Sequence, residues 1–414
     1  MVLINPSKLS QNFVAPIAKS HLQRELLLAA CSNEESVLVG NLTQIPDDAL
    51  HALVLIESLG CTVDRSDNQW KITPPRSMQK FKRIELHVGE SGFLLRSIIS
   101  VGFLFSEELI LHASGTLLDR NLQGLARDFM DLGIHQISSE GAWPLVLRKD
   151  RDFSVNTTLD ASMTSQTASG ALIAMAAAKG KYEVFLENPV SKPYLEFTLQ
   201  CLRSRGVEAL LKENVCTMNS TGIQGGTVQV QGDWSGAANL LCMGAMSGQV
   251  SVKGLLLNSL QADELVLDVI QKYGATVEID SDGIKVVQRE RKGFHVDLTD
   301  APDLFPVLSV LAASANGESR LVGTHRLASK ESDRLASTRA LLDVLGVVHR
   351  TEGNGLIIHG GMQYQGDIIN SFKDHRIILA AVVASKYLNE SLWINSVQEI
   401  TKSFKGLHFL LILP

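Results

Sequence analysis

Residues 160–178 read DASMTSQTASGALIAMAAA, a short polar head followed by a long run of small and apolar residues. A head that can cap a helix, followed by an apolar stripe, predicts a helix that begins at the head. The same pattern occurs in five other segments, which are PIAKSHLQRELLLAA (16–30), GESGFLLRSIISVGF (89–103), GDWSGAANLLCMGAM (232–246), DAPDLFPVLSVLAASANG (300–317) and FKDHRIILAAVVASKYL (372–388). The starts of the six segments are 73, 71, 72, 68 and 72 residues apart, which indicates a sixfold internal repeat.

A second series of signals has the same period. In each repeat a short apolar strand and a polar stretch lead into an amphipathic helix that is followed by glycine, the usual helix stop. These glycines are Gly60, Gly133, Gly206, Gly274 and Gly346, at steps of 73, 73, 68 and 72 residues. A sixth copy begins at LWINSVQEITKSFKG (392–406) and is cut short by the end of the chain. The repeat is therefore predicted to be βαβα followed by further strands.

The composition predicts a globular protein of two domains. The chain has 414 residues, which is too long for one ordinary hydrophobic core. Of these residues 45% are hydrophobic and 20% charged, as is typical of a globular protein. Six repeats divide most simply into three and three, near Gln231-Gly232. The net charge of −6 argues against nucleic acid as a partner, and no apolar run reaches the roughly 18 to 20 residues that a membrane helix needs.

Two further features predict a cytoplasmic location. The N-terminus lacks the apolar run of a secretory signal. The five cysteines form no CxxC pair and are odd in number, which argues against structural zinc and a disulfide framework. We expect these cysteines to be buried as small apolar side chains.

Basic residues recur at the heads of the repeats, where the helix dipole by itself favours acids. At least seven Lys or Arg side chains lie at or near these heads, among them Lys19, Arg24, Arg96, Arg334 and Arg376. Any single one could be a solvated surface charge, but the recurrence predicts a shared polyanionic ligand. If the repeats surround a common axis, their helix N-termini converge on one anion site.

Asp303 and Glu331 are the acids among these cations. A carboxylate surrounded by cations stays ionised and can take a proton from a substrate hydroxyl. The alternative is a structural ion pair with Lys330 or Arg334. His375 is expected to be structural rather than a catalytic acid. No nucleotide, metal-hydrolase or serine-hydrolase motif occurs in a supporting context.

The motifs together resemble those of the EPSP synthase (5-enolpyruvylshikimate-3-phosphate synthase) family. The resemblance runs in family order from residue 19 to 404, and SKPY, KESDR and DHR at these spacings are its most specific part. The matching segments are Lys19-Ser20 with Arg24, 89–96, 119–120, 160–166, 191–194 (SKPY), 232–235, 302–303, 330–334 (KESDR), 374–376 (DHR) and 401–404.

The resemblance implies a mixed α/β, two-domain enolpyruvyl transferase fold with six βαβαββ repeats, three per domain, in an inside-out α/β barrel. The domains would be 17–230, on the shikimate 3-phosphate side, and 1–16 with 231–414, on the phosphoenolpyruvate side, with the active site in the cleft between them. The activity would be 3-phosphoshikimate 1-carboxyvinyltransferase, which requires no metal or organic cofactor. The protein is expected to be a monomer whose partners are the two small-molecule substrates.

The resemblance also assigns site residues. Lys19, Asp303 and Glu331 would be catalytic, with Asp303 at the 5-hydroxyl and Glu331 and Lys19 moving the proton at the methylene carbon. Shikimate 3-phosphate would be bound by Lys19, Ser20, Arg24, Thr164, Ser165, Gln166, Ser191, Tyr194, Asp303 and Lys330. Phosphoenolpyruvate would be bound by Lys19, Gly92, Arg120, Gln166, Arg334, Arg376 and Lys402.

The chain departs from the family pattern in several places. The Gly-Ser before the lysine is Ile17-Ala18, and the Asn before Arg24 is Gln23. The Gly-Asn-Ala-Gly-Thr stretch is GESGF at 89–93, which puts an acid and a phenyl ring beside the phosphoenolpyruvate site. The usual proline after Lys-Ser-Phe is Lys405, and the turn before Arg120 is also divergent.

Two alternative functions would require other residues. A UDP-N-acetylglucosamine enolpyruvyl transferase would carry Lys-Asn early and a cysteine before Arg120, whereas Lys19 is followed by Ser20 and 112–120 lack cysteine. A non-catalytic repeat protein would bind a phosphorylated metabolite without turnover, and the retention of Lys19, Asp303 and Glu331 together argues against it.

Overall fold

The computed structural model describes residues 1–5, 12–76, 81–120, 125, 127–281, 283–328 and 330–406. The chain forms two compact units. The N-terminal unit is Lys19–Val230, and the C-terminal unit combines Met1–Ala18 with Gln231–Pro414.

Both units alternate strands and helices. The chain opens with β1 (Val2–Ile4) and β2 (Asn12–Val14), which belong to the C-terminal unit. The N-terminal unit then contains α1 (Lys19–Ala30), β3 (Ser36–Val39), α2 (Asp47–Ser58), β4 (Thr62–Arg65), β5 (Gln69–Thr73), β6 (Ile84–His87), α3 (Gly92–Val101), β7 (Glu108–His112), β8 (Ile134–Gln136), β9 (Leu145–Lys149), β10 (Asn156–Asp160), α4 (Gln166–Ala178), β11 (Gly180–Glu187), α5 (Lys192–Ser204), β12 (Glu208–Lys212), β13 (Val215–Ser220) and β14 (Gly226–Gln229).

The remaining elements complete the C-terminal unit. They are α6 (Trp234–Ser247), β15 (Gln249–Lys253), α7 (Val266–Tyr273), β16 (Thr276–Asp280), β17 (Gly283–Val287), β18 (His295–Asp297), α8 (Phe305–Ala313), β19 (Glu318–Val322), α9 (Arg334–Val344), β20 (His349–Glu352), β21 (Gly355–His359), α10 (His375–Leu388) and β22 (Leu392–Ile394).

In the described parts of the chain, five four-stranded sheets share one connectivity. Their strand orders are β14-β3-β5-β4, β6-β7-β9-β8, β10-β11-β13-β12, β2-β15-β17-β16 and β18-β19-β21-β20. In each sheet the first pair is parallel and the other two pairs are antiparallel. In the sixth repeat β22 pairs with β1, and Ile369 forms a parallel bridge to Ile394. This arrangement confirms the predicted mixed α/β repeat.

All six predicted head-and-stripe segments form helices, namely α1, α3, α4, α6, α8 and α10. In α4 every residue from 167 to 177 is buried, as expected for a helix that is apolar or small on all sides. Gly170 allows its close packing on α3, since a Cβ there would lie 2.5 Å from the Cα of Ser97. In the C-terminal unit α6, α8 and α10 pack on one another to form the core.

The predicted helix-ending glycines all have positive φ, from +66° at Gly346 to +104° at Gly274. Glycine reaches this left-handed conformation at little cost, so the helix stops are confirmed. The second repeat differs, because its residues before Gly133 form the 3-10 helix Arg127–Leu132 instead of an α-helix. The sixth copy likewise contains the 3-10 helix Gln398–Lys402, and its residues 407–414 lie outside the described part.

No helix in the described part of the chain has the length and apolarity that crossing a bilayer requires. All five cysteines are buried and unpaired, as predicted. Burial raises the pKa of Cys61 and of Cys216 to about 12, so neither thiol is reactive at neutral pH.

Candidate active site

Three predicted site residues of the N-terminal unit are each the first residue of a helix. Lys19 is the first residue of α1, Gly92 of α3 and Gln166 of α4. Ser91 caps α3, because its Oγ accepts a hydrogen bond from Leu94 N at 3.2 Å. These helix starts present backbone N–H groups, which favour a bound anion.

Lys19 is held by a carboxylate that the sequence did not single out. Its Nζ lies 3.0 Å from Oδ2 of Asp48, in the first turn of α2. The amide of Gln23 donates both to the Asp48 carbonyl at 3.0 Å and to Ser91 Oγ at 2.9 Å. Gln23, which replaces the family's Asn, therefore ties α1 to the turn that precedes α3.

Two guanidinium groups and an amide converge on Gly92. Arg96 Nη1 donates to Gln166 Oε1 at 3.2 Å and lies 3.3 Å from the Gly92 carbonyl oxygen. A Cβ on Gly92 would meet Arg120 Nη1 at 3.0 Å, Arg96 Nη1 at 3.1 Å and Gln166 Oε1 at 3.7 Å. A side chain at this position would crowd these groups, so glycine favours their close approach. We name Gly92, Arg96, Arg120 and Gln166 the Gly92 cluster; it concentrates positive charge.

Arg24 is buried in a cage of aromatic rings. Its guanidinium carbon lies 4.5 Å from the ring centroid of Phe93, 5.5 Å from Phe197 and 5.8 Å from Tyr194. Burial lowers the pKa of Arg24, against the charge of nearby groups that include Tyr194. The unusual Phe93 thus packs against Arg24 and adds a cation–π contact.

The nitrogen atoms of Arg24 hold the surrounding polypeptide together. Nε donates to Thr198 Oγ1 at 2.9 Å, Nη1 to the Ser20 carbonyl at 2.8 Å and Nη2 to the Tyr194 carbonyl at 3.3 Å. The structure therefore brings Ser20, Arg24 and Tyr194 together. In this arrangement Arg24 organises α1 and α5 through its own hydrogen bonds.

The remaining predicted residues of this unit lie at the starts of α4 and α5. Thr164 Oγ1 accepts from Gln166 N at 3.2 Å, and Ser165 is buried. Ser191 precedes α5 and adopts a left-handed conformation with φ +52°. These hydroxyl-bearing residues suit hydrogen bonds to an oxygen-rich ligand.

In the C-terminal unit, Arg334 is fully buried among three carboxylates. Its Nη1 donates to Asp303 Oδ1 at 2.7 Å, its Nε to Asp374 Oδ2 at 3.1 Å, and its Nη2 to Glu331. Arg376 Nη2 donates to the second oxygen of Asp303 at 3.1 Å. We name Asp303, Glu331, Arg334, Asp374 and Arg376 the Asp303 cluster; its charges largely compensate one another.

The electrostatics of this cluster keep Asp303 ionised. Burial would raise the pKa of Asp303, but Arg376, Arg334 and Lys330 outweigh it and hold the pKa far below the ordinary range. Burial lowers the pKa of Lys330, with Asp303 opposing it. Burial also disfavours the charged Arg334, yet Asp374, Glu331 and Asp303 together raise its pKa. Asp303 is therefore a carboxylate at neutral pH, able to accept a hydrogen bond from a substrate hydroxyl.

Arg376 also carries unsatisfied donors. Its Nε and Nη1 are buried and have no hydrogen-bond partner in the described part of the chain. Buried donors without acceptors are costly, and an anion would satisfy them. Lys402, the last predicted residue, is buried at the end of the 3-10 helix Gln398–Lys402.

Asp48, Gln23 and Asp374 are the structural residues that sequence reasoning left out of the site. Asp374 is part of the DHR motif and caps α10 by accepting from Arg376 N at 2.9 Å, so its helix-start position was a usable signal. Asp48 and Gln23 act through contacts between distant segments, which no local pattern shows.

One group of side chains in the described part of the chain has the composition of a metal site. His21, Glu25 and Cys201 are buried with their ligand atoms within 4.8 Å of one another. However, Glu25 already accepts hydrogen bonds from Arg205 Nη2 at 2.7 Å and Nε at 2.9 Å. Glu25 therefore forms a structural ion pair with Arg205.

A cavity of about 670 Å³ lies elsewhere in the N-terminal unit, along the sheet formed by β10 to β13. It is lined by residues such as Tyr182, Arg203, Leu210 and Met218, and none of the predicted site residues borders it. The chemistry of the side chains, rather than cavity size, locates the candidate site.

Comparison with known proteins gives one consistent result. The family model described as EPSP synthase (3-phosphoshikimate 1-carboxyvinyltransferase) matches residues 4–410. A protein of that name from Thermococcus kodakarensis is 32% identical over 95% of this chain and 94% of its own length. Its counterpart from Pyrococcus furiosus is 31% identical over 97% of this chain and 96% of its own length. A solved EPSP synthase from Acinetobacter baumannii superposes with a TM-score of 0.77 at 23% identity, covering 96% of this chain and 94% of that one.

Proposed function

The chain belongs to the EPSP synthase family, and from this membership we propose that it transfers the enolpyruvyl group of phosphoenolpyruvate to the 5-hydroxyl of shikimate 3-phosphate. The products are 5-enolpyruvylshikimate 3-phosphate and inorganic phosphate, in the pathway to the aromatic amino acids. The observation that carries this proposal is the Gly92 cluster, where two guanidiniums and an amide converge on a bare Cα.

The proposed reaction is an addition followed by an elimination. Protonation of the methylene carbon of phosphoenolpyruvate makes an oxocarbenium-like centre, to which the 5-hydroxyl oxygen adds as it loses its proton. Loss of phosphate from the resulting ketal, with transfer of one proton of the new methyl group to the protein, restores the double bond. Fixed charges that match this charge development lower the barrier without reorganisation.

We assign the roles as follows. Asp303 accepts the proton of the 5-hydroxyl, supported by its ionised state between two arginines. Glu331 and Lys19 move the proton at the methylene carbon. We propose that both clusters act in one turnover, so that loss of either stops the same reaction.

The binding roles are proposals of the same kind. Shikimate 3-phosphate would be held mainly by the N-terminal unit through Ser20, Arg24, Thr164, Ser165, Gln166, Ser191 and Tyr194, with Lys19, Asp303 and Lys330. Phosphoenolpyruvate would be held by Lys19, Gly92, Arg120, Gln166, Arg334, Arg376 and Lys402. The unsatisfied nitrogens of Arg376 support its part in anion binding.

We also propose that the protein acts in the cytoplasm as a monomer. Five buried, unpaired thiols suit a reducing compartment. Light scattering at the mass of two chains would contradict the monomer.

The deciding experiment for the function is a coupled assay of phosphate release. Release should require both phosphoenolpyruvate and shikimate 3-phosphate, and should stop when either is omitted. Replacing shikimate 3-phosphate by UDP-N-acetylglucosamine should give no release. A protein that binds both substrates and releases no phosphate would instead be the non-catalytic binding protein.

Gly92→Ala should raise KM for phosphoenolpyruvate about tenfold. The new Cβ would lie 3.0 and 3.1 Å from the Nη1 atoms of Arg120 and Arg96, so both guanidiniums must shift by a few tenths of an ångström. Steady-state kinetics with each substrate varied measures the effect. Gly102→Ala is the control, since its Cβ would meet the Leu109 side chain, and it should leave this KM unchanged.

A further inference from the structure

Glu90 accepts hydrogen bonds from another segment of the chain. It is the acid that replaces the family's Asn beside the proposed phosphoenolpyruvate site. Its Oε2 accepts hydrogen bonds from Thr116 N at 2.8 Å and from Thr116 Oγ1 at 3.0 Å. Gly115 makes this approach possible, because a Cβ there would lie 2.1 to 2.3 Å from the carboxylate atoms. The φ of Gly115, +51°, also favours glycine.

These contacts join two neighbouring connections. Glu90 lies between β6 and α3, in the turn that leads to Gly92. Thr116 lies in the 3-10 helix Gly115–Leu117, which leads to Arg120. The backbones already run side by side, since Ser114 N donates to the Gly89 carbonyl at 2.9 Å.

The carboxylate serves as a helix cap supplied from another segment. Ser114, which precedes the 3-10 helix Gly115–Leu117, makes no side-chain cap bond. Glu90 takes that role by accepting a hydrogen bond from the N–H of Thr116 in the first turn. The far end of the same short helix is joined to Arg120, whose N donates to the Leu117 carbonyl at 3.4 Å.

We propose that Glu90 is a positioning residue, whose carboxylate fixes the 3-10 helix Gly115–Leu117 and thereby holds Arg120 over Gly92 for binding phosphoenolpyruvate. This inference rests on the proposed function. It also explains how an acid is tolerated beside an anion site, because Thr116 donates two hydrogen bonds to Oε2. A carboxylate bonded to N–H and O–H donors repels a neighbouring anion less than a bare one.

The main test compares Glu90→Ala with Glu90→Gln. Alanine removes the acceptor, so KM for phosphoenolpyruvate should rise about tenfold, while KM for shikimate 3-phosphate and the melting temperature stay near wild type. Glutamine keeps a carbonyl acceptor of the same reach, so this KM should stay within about twofold of wild type. An unchanged KM in Glu90→Ala, or an equal rise for both substrates, would overturn the proposal.

A second pair of variants acts from the other side of the contact. Thr116→Val removes the hydroxyl donor and should raise KM for phosphoenolpyruvate about threefold, whereas Thr116→Ser keeps the donor and should not. Equal values of KM for phosphoenolpyruvate in Thr116→Val and Thr116→Ser would count against the proposal.

A readout that needs no turnover separates this proposal from the proposed function. Hydrogen exchange of the Thr116 amide should quicken about tenfold in Glu90→Ala and stay near wild type in Glu90→Gln. Unchanged exchange in Glu90→Ala overturns the positioning role. A wild-type protein that releases no phosphate refutes the proposed function, whatever the exchange data show.

Discussion

Asp303→Asn and Glu331→Gln are each expected to lower turnover by about 100- to 10,000-fold, with substrate binding largely retained. Both changes keep the size of the side chain and remove its capacity to accept a proton. In the proposed mechanism Asp303 accepts the proton of the 5-hydroxyl, and Arg334 Nη1 at 2.7 Å and Arg376 Nη2 at 3.1 Å hold its carboxylate ionised. The sign of its pKa shift means that the base form persists as the pH falls through the ordinary range of aspartate.

The measurement is kcat from phosphate release, together with the affinity for each substrate by calorimetric titration. Glu278→Gln is a matched control in the same unit, since Glu278 forms an exposed pair with Lys285 at 3.0 Å and should leave kcat unchanged. If kcat survives in both Asp303→Asn and Glu331→Gln, the assigned mechanism is wrong even though the family membership stands.

Glu25→Ala is expected to destabilise the protein by about 3–5 kcal/mol, the cost of leaving a buried charge without its partner. Glu25 and Arg205 are 0% and 1% exposed, and Arg205 Nη1 also donates to Ser36 Oγ at 2.9 Å. The pair ties α1 to the segment after α5 and to the start of β3. Glu35→Gln, which disrupts an exposed pair with Lys71, should cost less than about 1 kcal/mol.

The pH dependence gives an independent check on the same pair. Burial disfavours the Glu25 carboxylate, but Arg205 and His21 outweigh it and lower its pKa from 4.5 to about 2. Because this pKa is lower in the folded protein than in the unfolded chain, the Glu25 carboxylate stabilises the folded state fully above pH 4.5. This contribution to the free energy of unfolding, about 3 kcal/mol, is lost as the pH falls towards 2.

Guanidinium unfolding between pH 2 and 7 measures both effects. The double variant Glu25→Leu with Arg205→Met removes both charges, so it should recover most of the stability that Glu25→Ala loses. Its free energy of unfolding should also decrease less at acid pH than that of the wild type. A single Glu25→Ala variant as stable as wild type would show that the ion pair contributes little.

The sixfold repeat, and with it the fold class, could be predicted from the sequence alone. The six head-and-stripe segments and the glycine stops are local signals, because capping, helical periodicity and left-handed φ depend on neighbouring residues. All five glycines have the expected φ, and all six stripes are helices. The second repeat was the exception, where the 3-10 helix Arg127–Leu132 replaces the predicted α-helix.

Which charges meet depends on how separate repeats pack in three dimensions. Arg24 and Thr198, Gln23 and Ser91, and Asp303 and Arg376 are far apart in the chain, and their contacts depend on how separate repeats pack. Residue types at the repeat heads predicted a cationic site, but not that three carboxylates surround Arg334 or that the Glu90 carboxylate is bonded to Thr116. Local sequence sets where a helix begins, whereas the partner of a buried charge is set by the three-dimensional approach of distant segments, which short-range patterns do not contain.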